Sequence, residues 1–385
     1  MAKQDHKKAT RFVHSGRPSA GLGTPVSHSI TRASTLLFEK AEDLYRSDVR
    51  GYGRHGSEIH DALADLFTDL ESGIGTLLYP SGLAALTGPI LSVVKPGDHI
   101  LLSDSAYGPT RYFCNGFLKR FGVETELYDP RIGSGIAKLI KPNTSLILLE
   151  SPGSLTFEIQ DLPAIAKVAK AKGITTLIDN TWSAGLSLNP LPLGIDISVH
   201  AATKYFGGHS DIMYGAAIFA DESQFERAKV TAKQMGNASS PDDAYQILRG
   251  FRTVLTRFKQ QESTALFLAK WLVTHPNIQT VLHPGVSDHP DHDLWKRDFS
   301  GGACLFACIF NPLEEDDVNK FINGLELFGI GYSYGGFESL AIHCDPQLKR
   351  SHAEKLSGPL IRFACGLENK NDLKNDIEQS LERVF

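Results

Sequence analysis

The middle of the chain alternates between two spacings of apolar residues. Short and almost continuously apolar runs, of which 146–149 is the clearest, are followed by longer stretches in which apolar residues recur every three or four positions. The first pattern is typical of buried strands and the second of helices. Because the two alternate over about 170 residues, we predict βαβ units that form a mostly parallel sheet with helices on both faces.

Turn-forming residues separate the elements that these patterns predict. Strands are predicted at 76–79, 99–102, 123–128, 145–149, 175–178 and 196–200. Helices are predicted at 57–70, 81–94, 109–121 and 162–172, the last of them ended by Gly173. Pro96-Gly97-Asp98 marks a turn, as such residues commonly do.

The pattern changes beyond residue 240, where one long helix is predicted to run from Ser240 to Trp271. The run 303–310 is apolar throughout and predicts a buried strand, and helices are predicted at 318–327 and 372–384. This part of the chain is therefore expected to form a smaller α+β unit.

The length of 385 residues corresponds to roughly 2.6 domains of average size. Residues 1–55 have no long periodic pattern and are predicted to form an extended arm. We accordingly expect an α/β protein with an arm at 1–55, a large domain at 56–245 and a small C-terminal domain at 246–385.

The composition narrows the class of protein. Lys and Arg number 39 against 44 Asp and Glu, a net charge of −5 that argues against nucleic-acid binding. The five cysteines are odd in number and scattered, which favours a reducing compartment over a disulfide framework. No apolar run approaches the ~20 residues needed to cross a bilayer, and no export signal is evident, so we expect a cytoplasmic protein.

Polar motifs follow several predicted strands, and ligands of open α/β sheets bind beyond the carboxyl ends of the strands. Lys204 follows a strand among apolar neighbours, which would lower its pKa and suit it to form a Schiff base. Asp179 also ends a strand, and a buried carboxylate needs a cationic or hydrogen-bonding partner. If each residue is considered alone, the simpler interpretation is that Lys204 is a surface lysine and that Asp179 caps a loop. Together they match the requirements of pyridoxal phosphate, an imine-forming lysine and an acid at the ring nitrogen.

Two weaker signals lie nearby. Ser81-Gly82-Leu83 opens a predicted helix, whose free N–H groups suit a phosphate, although Ser81 is equally a plain N-cap. Tyr107 follows another strand, where it would either lie flat on an aromatic ring or fill a gap in the core.

A series of short motifs carries a resemblance to a known family. They are Tyr52-Gly-Arg54, Ser81-Gly82, Glu150-Ser-Pro-Gly-Ser154, Ile178-Asp-Asn-Thr-Trp182, Ala201-Ala-Thr-Lys-Tyr205, Tyr332-Ser-Tyr-Gly-Gly336 and Leu360-Ile-Arg362. In this order they resemble the Cys/Met-metabolism family of pyridoxal-phosphate enzymes, and within it the bacterial β-lyases that act on cystathionine. The resemblance extends from about residue 10 to the end of the chain.

The resemblance implies a fold-type I, PLP-dependent transferase-like fold and pyridoxal 5'-phosphate as cofactor. Lys204 would hold the cofactor aldehyde as an imine and then move the Cα proton of the substrate. Asp179 would pair with the ring nitrogen. Tyr107 would stack on the ring and, as a second catalytic residue beside Lys204, help to handle the substrate amine. The residues implied to hold the phosphate are Ser81, Gly82, Leu83 and Thr203.

The resemblance also implies how an amino-acid substrate and the subunits are arranged. Arg362 would clamp the α-carboxylate through its planar fork. The other residues implied at the substrate are Ser333, Ser154, Tyr334 and Tyr52. Tyr52 and Arg54 would reach into a neighbouring subunit and complete its phosphate site, within a homotetramer built from dimers that share active sites.

The implied reaction is β-elimination of cystathionine to homocysteine, pyruvate and ammonia. Tyr107-Gly-Pro-Thr110 and Ser154 resemble the β-lyases more than the γ-acting relatives. The chain departs from those β-lyases at Tyr334, where they carry tryptophan, and at His55, where they carry a second arginine. Histidine binds the carboxylate at the far end of cystathionine less firmly than arginine does. Cysteine and cystine therefore remain alternative substrates, and γ-cleavage remains an alternative reaction.

A metal-dependent hydrolase is the alternative from another class of enzyme. His283, His289, Asp291, His292 and Asp293 are metal-ligating types close together in sequence. Prolines and a glycine interrupt them, however, as in a polar surface loop, so we expect no metal site. Elsewhere, Cys304 and Cys308 lie in an apolar run, which favours buried packing.

Overall fold

The computed structural model describes residues 6–353 and 355–385. Its helices are α1 Lys8–His14, α2 Glu58–Glu71, α3 Gly82–Val93, α4 Gly108–Tyr112, α5 Leu162–Ala171, α6 Glu222–Gln234, α7 Pro241–Phe251, α8 Val254–Val273, α9 His292–Asp298, α10 Glu315–Gly324 and α11 Lys370–Leu381. Its strands are β1 Gly75–Tyr79, β2 His99–Ser103, β3 Glu124–Tyr128, β4 Thr144–Glu150, β5 Thr175–Asp179, β6 Ile197–His200, β7 Gly215–Phe219, β8 Ile278–Leu282, β9 Leu305–Phe310, β10 Gly329–Ile330, β11 Leu340–His343 and β12 Leu360–Ala364.

The larger sheet has seven strands in the order β1-β7-β6-β5-β4-β2-β3. Strands β2 to β6 pair in parallel, which confirms the predicted fold class. Strand β7 was not predicted, and it runs antiparallel to both β1 and β6. Its sequence of small and apolar residues is buried at every position, so it lacks the alternation that marks a half-exposed strand.

Apolar clusters cover both faces of this sheet, as expected when helices pack on each side. Strand β2 is buried along its whole length and β4 along most of it. Helix α3 contributes to one cluster and α2 and α5 to the other. The carboxyl ends of β2, β4, β5 and β6 therefore lie together at one edge of the sheet.

The smaller sheet has five strands in the order β10-β11-β12-β9-β8. All of its pairs are antiparallel except β10 with β11. Helices α8, α10 and α11 pack on it around a separate apolar cluster. Strand β12 matters most for the site because it carries Arg362.

The long helix predicted from Ser240 to Trp271 is wrong as a single element. It breaks at Arg252 and Thr253 into α7 and α8. The break places Arg257 of α8 so that its guanidinium donates to the carbonyls of Gly250 and Tyr205, each at 2.7 Å. These bonds tie both helices to the turn that bears Lys204.

Helix α1 lies in the N-terminal arm and packs against the end of α7. The buried ring of Phe12 in α1 packs edge-on against Phe251 at 5.0 Å. Most of residues 17–55 is exposed, including large apolar side chains such as Leu22, Leu37 and Tyr45. Among the described residues, none of the helices is both long and apolar enough to cross a membrane.

Candidate active site

A cavity of about 560 Å³ opens at the carboxyl ends of the parallel strands, between the two sheets. Most of the site residues expected from sequence line it, namely Ser81, Gly82, Leu83, Tyr107, Ser154, Asp179, Thr203, Lys204, Ser333, Tyr334 and Arg362. The larger sheet and its loops supply the first eight, and the chain of the smaller sheet supplies Ser333, Tyr334 and Arg362.

Lys204 projects into this cavity from an irregular turn. The turn Thr203–Gly207 follows β6, and Lys204 itself has a non-helical backbone (φ −77°, ψ −108°). Its Nζ donates to the hydroxyl of Ser333 at 2.8 Å and lies 5.2 Å from the ring centre of Tyr334. Burial lowers the pKa of Lys204 to about 8, and the positive charge of Arg362 adds to this effect. The amine is thus easier to deprotonate than an ordinary lysine.

Asp179 ends β5, where it is half-buried and faces the cavity. Its Oδ1 accepts hydrogen bonds from the backbone N–H and the hydroxyl of Thr181, at 3.0 and 2.5 Å. Burial raises the pKa of Asp179 above its ordinary value, although the Thr181 bonds oppose the shift. A cationic group beside this carboxylate would restore its charge at neutral pH.

Glu150 is a site residue that the sequence reasoning did not select. It ends β4 in register with Asp179 on β5. Burial raises the pKa of Glu150 well above its ordinary value, and the negative charge of Asp179 raises it further. Its carboxyl accepts the backbone N–H of Tyr107 at 2.6 Å, so it fixes that residue at the rim. The signal was present in the sequence, since Glu150 ends an apolar strand as Asp179 does.

Arg362 reaches the cavity from the smaller sheet. Its Nη2 donates to the carbonyl of Ser333 at 3.2 Å. Its Nε is buried and has no hydrogen-bond partner among the described residues, and burial lowers the pKa of the guanidinium. A buried donor without a partner is costly, so this fork is suited to receive a carboxylate from a ligand.

Helix α3 begins at one end of the cavity. The N–H groups of Gly82 and Leu83 lie in its first turn and so have no partner within the helix. The hydroxyl of Ser81 accepts the N–H of Ala84 at 3.1 Å, which leaves its own hydrogen free to donate. A side chain at position 82 would meet Ala201 Cβ at 2.4 Å, so the close approach requires glycine.

Three further cavity residues have less direct contacts. The hydroxyl of Thr203 already bonds the backbone of Tyr214, at 3.2 Å to its carbonyl and 2.8 Å from its N–H. Tyr107 lies at the rim and is 45% exposed. Its pKa is raised, first because its hydroxyl is partly buried and then because Asp179 and Glu150 are negatively charged. The backbone N–H of Ser154 donates a hydrogen bond to the carbonyl of Ser105.

Tyr52 and Arg54 do not line this cavity. Arg54 lines a separate hollow of about 340 Å³ together with Lys229 and Lys233, and its guanidinium lies 5.4 Å from the ring of Tyr52. Within one chain the structure therefore does not bring these two residues to Lys204.

A buried charge network borders the mouth of the cavity. Arg350, between β11 and β12, donates to Asp104 at 3.0 Å and to Glu158 at 2.7 Å. Asp104 also accepts the backbone N–H groups of Ser351 and His352, each at 2.8 Å. The segment 349–352 is thereby fastened to the larger sheet. Sequence reasoning did not find this network, because its members are far apart in the chain.

The histidine-rich segment has structural contacts of its own. His283 and His289 each accept a backbone N–H from the residue two positions later, at 2.9 and 3.1 Å. Asp291 pairs with Arg131 at 2.8 Å.

In residues 6–353 and 355–385, ligand atoms of metal-binding types converge at His99, Glu124 and Glu126. Lys141 bridges those two glutamates at 2.8 Å from each. The five cysteines are unpaired and buried.

The cavity residues fit pyridoxal phosphate. The free N–H groups at the start of α3 suit the phosphate, and the half-buried Asp179 suits a protonated ring nitrogen. Lys204, with its lowered pKa, suits the aldehyde. Asp179 and Lys204 share one cavity rather than opening to separate surfaces, as the cofactor requires.

The fold and this cavity together define a pyridoxal-phosphate-dependent enzyme of fold type I. The chain belongs to the Cys/Met metabolism family of PLP-dependent enzymes, whose family model matches residues 9–382. It is 42% identical to the cystathionine beta-lyase of Haemophilus influenzae over 98% of each chain. It is 37% identical to a cystathionine beta-lyase of Escherichia coli over 99% of each. The solved structure of cystathionine gamma synthase from Xanthomonas oryzae in complex with aminoacrylate and cysteine is also similar, with a TM-score of 0.91 and 28% identity over 98% of each chain.

Proposed function

We propose that this enzyme is a carbon–sulfur β-lyase that cleaves cystathionine to homocysteine, pyruvate and ammonia, a step that serves methionine biosynthesis. The observation that carries the proposal is that Ser333 contacts both Lys204 Nζ and the Arg362 guanidinium. A base and a carboxylate-binding fork are thereby held side by side. The identity to relatives named cystathionine beta-lyase supports the choice of substrate.

Bound pyridoxal phosphate supplies an aldehyde that reacts with amines and a ring that withdraws electrons. Asp179 would hold the proton on the ring nitrogen, and Tyr107, at the rim of the cavity, would stack on the ring. The free N–H groups at the start of α3 would hold the phosphate.

Arg362 binds the substrate α-carboxylate and so orients Cα toward Lys204. Near neutral pH a useful fraction of Lys204 is uncharged, because its pKa is about 8. The Cα proton passes to Nζ, the Cβ–S bond breaks, and the same ammonium protonates the departing thiolate. The released aminoacrylate hydrolyses to pyruvate and ammonia.

Product identification tests the proposal. Holoenzyme is incubated with L-cystathionine, and the products are separated and identified. Pyruvate with homocysteine supports β-cleavage, whereas 2-oxobutyrate with cysteine shows γ-cleavage instead. Cleavage of cysteine or cystine but not cystathionine would replace the substrate while keeping the reaction. Activity that is lost on adding a chelator would favour a metal enzyme.

We also propose a homotetramer, a dimer of dimers in which Tyr52 and Arg54 of each subunit complete the neighbouring active site. The exposed apolar side chains of the arm support this, since such surfaces commonly mark an interface. Light scattering measures the number of subunits in the assembly. Refolding Lys204→Ala together with Arg54→Ala should recover activity that neither variant has alone, and no recovery would contradict shared sites.

Two further parts of the proposal concern organisation and location. The large domain at 56–245 and the small one at 246–385 are supported by the two separate sheets, which lie within these ranges. We place the enzyme in the cytoplasm, and its unpaired buried cysteines are consistent with a reducing compartment.

A further inference from the structure

We propose that Lys349 and Tyr112 form a subsite at the cavity mouth that binds a carboxylate carried by the leaving group of the substrate. This inference rests on the proposed β-lyase function and deepens it. It predicts that the enzyme selects thioethers whose far end is anionic over thioethers whose far end is neutral.

The charges around the cavity point to Lys349. Of the cations that line it, Arg111 is paired with Asp104 at 3.1 Å, and Arg350 is paired with Asp104 and Glu158. Lys204 and Arg362 lie in the interior, where the reaction and the α-carboxylate need them.

Lys349 is the remaining cation of the lining, and it is exposed. Within residues 6–353 and 355–385 it forms no ion pair with a carboxylate. Its Nζ lies 3.5 Å from the hydroxyl of Tyr112 and 5.7 Å from the ring centre. An anion entering the mouth would therefore meet a positive charge that no acidic side chain neutralises.

The backbone of Lys349 is held in place even though its side chain is exposed. The next residue, Arg350, is anchored by its bonds to Asp104, Thr156 and Glu158. Tyr112 ends α4, the helix that follows Tyr107 at the rim. The backbone that carries the ammonium is thus fixed before an anion binds, which reduces the entropy lost on binding.

The chemistry of the substrate fits this placement. A thioether amino acid whose α-carboxylate is bound by Arg362 in the interior would extend its sulfur substituent toward the mouth. The ring of Tyr112 offers apolar area to its methylene groups, and Lys349 offers a charge-assisted hydrogen bond to a terminal carboxylate.

A matched pair of substrates tests the subsite. S-(2-carboxyethyl)-L-cysteine and S-propyl-L-cysteine differ chiefly in the terminal carboxylate, and both lack the distal amine of cystathionine. We expect the ratio of their kcat/KM values to fall roughly 5- to 20-fold in Lys349→Met, which keeps a long side chain and removes the charge. Lys320→Met removes an exposed lysine outside the cavity and should leave the ratio unchanged. Lys349→Glu should shift preference toward S-(2-aminoethyl)-L-cysteine.

A binding measurement separates this inference from the proposed function. The Kd of each substrate is obtained from the absorbance change of the bound cofactor, whether or not pyruvate forms. If wild-type enzyme releases no pyruvate from L-cystathionine, the β-lyase proposal fails, yet the Kd ratio of the two analogues still reports on Lys349. Equal ratios in wild type and Lys349→Met, by rate and by Kd, would overturn the subsite.

Discussion

Lys204 Nζ donates a hydrogen bond to Ser333 Oγ at 2.8 Å, across 129 positions of sequence and from one sheet region to the other. The carbonyl of the same serine accepts Arg362 Nη2. Ser333 has φ of 119°, a conformation that non-glycine residues rarely adopt and that costs of order 1–3 kcal/mol. The two contacts show what this strained residue does, since it joins the amine to the carboxylate-binding fork.

Substitutions at Ser333 separate its hydroxyl from its backbone strain. We expect both Ser333→Ala and Ser333→Gly to lower kcat by roughly 10- to 100-fold, because Lys204 loses a contact that positions it. Glycine adopts positive φ freely, so the free energy of unfolding should be about 1 kcal/mol higher for Ser333→Gly than for Ser333→Ala. Steady-state kinetics and denaturant titration measure the two effects. Unchanged kcat in both variants would show that the hydroxyl has no part in positioning.

The lowered pKa of Lys204 predicts how fast cofactor-free protein couples to pyridoxal phosphate at different pH. Only the uncharged amine attacks the aldehyde, so the rate should rise with pH and level off above about 8 rather than above the ordinary 10.5. The absorbance that develops near ~420 nm follows the reaction.

Two variants serve as references for this pH profile. Lys204→Ala should not develop the band, and borohydride should abolish it in the wild type. In Arg362→Met the midpoint should rise, because the guanidinium charge contributes to the low pKa of Lys204. A wild-type midpoint near 10.5 would contradict the environment described for Lys204.

Asp179→Asn should impair catalysis while preserving shape. The amide can no longer hold a proton on the cofactor ring nitrogen, so we expect kcat to fall about 10²- to 10³-fold, as for the loss of one pre-arranged electrostatic group. Cofactor affinity, measured by equilibrium dialysis, should weaken as well. Asp288→Asn, which removes an exposed carboxylate that accepts a hydrogen bond from Ser287, is the control. Full activity in Asp179→Asn would remove the carboxylate from the mechanism.

The ion network beside the mouth should govern stability. Arg350→Met removes the cation that pairs with the buried Glu158 and one of the two cations that pair with the buried Asp104, the other being Arg111. We therefore expect it to lose about 3 kcal/mol of unfolding free energy. Burial alone would raise the pKa of Asp104, but the N–H groups of His352 and Ser351 and the charge of Arg350 lower it.

The pH dependence of that loss follows from the sign of the shift. A depressed carboxyl pKa stabilises the fold above the ordinary value of 3.8, and this contribution disappears as pH falls through the lower pKa of the folded state. The difference between wild type and Arg350→Met should therefore be full near neutral pH and shrink below 3.8. Denaturant melts at several pH values measure it, and a difference that stays constant would contradict this account.

The sequence by itself determined the parallel core and the edge at which chemistry occurs. Continuous apolar runs define the central strands, and strands that run in parallel bring their carboxyl ends together. The positions of Asp179 and Lys204 directly after such runs, and of Ser81-Gly82 at a helix start, were therefore readable without coordinates. Local patterns suffice here because each residue's place is set by the element next to it.

Only the tertiary structure decided which distant segments meet. The insertion of β7, the break between α7 and α8, and the approach of Ser333 to Lys204 leave no local periodic signal. Glu150, Arg350 and Lys349 likewise acquire their surroundings from residues far away in the chain. Periodicity reports whether a residue is buried, but the partner of a buried or bordering group is fixed by packing between elements, and that information appears only when the chain is folded.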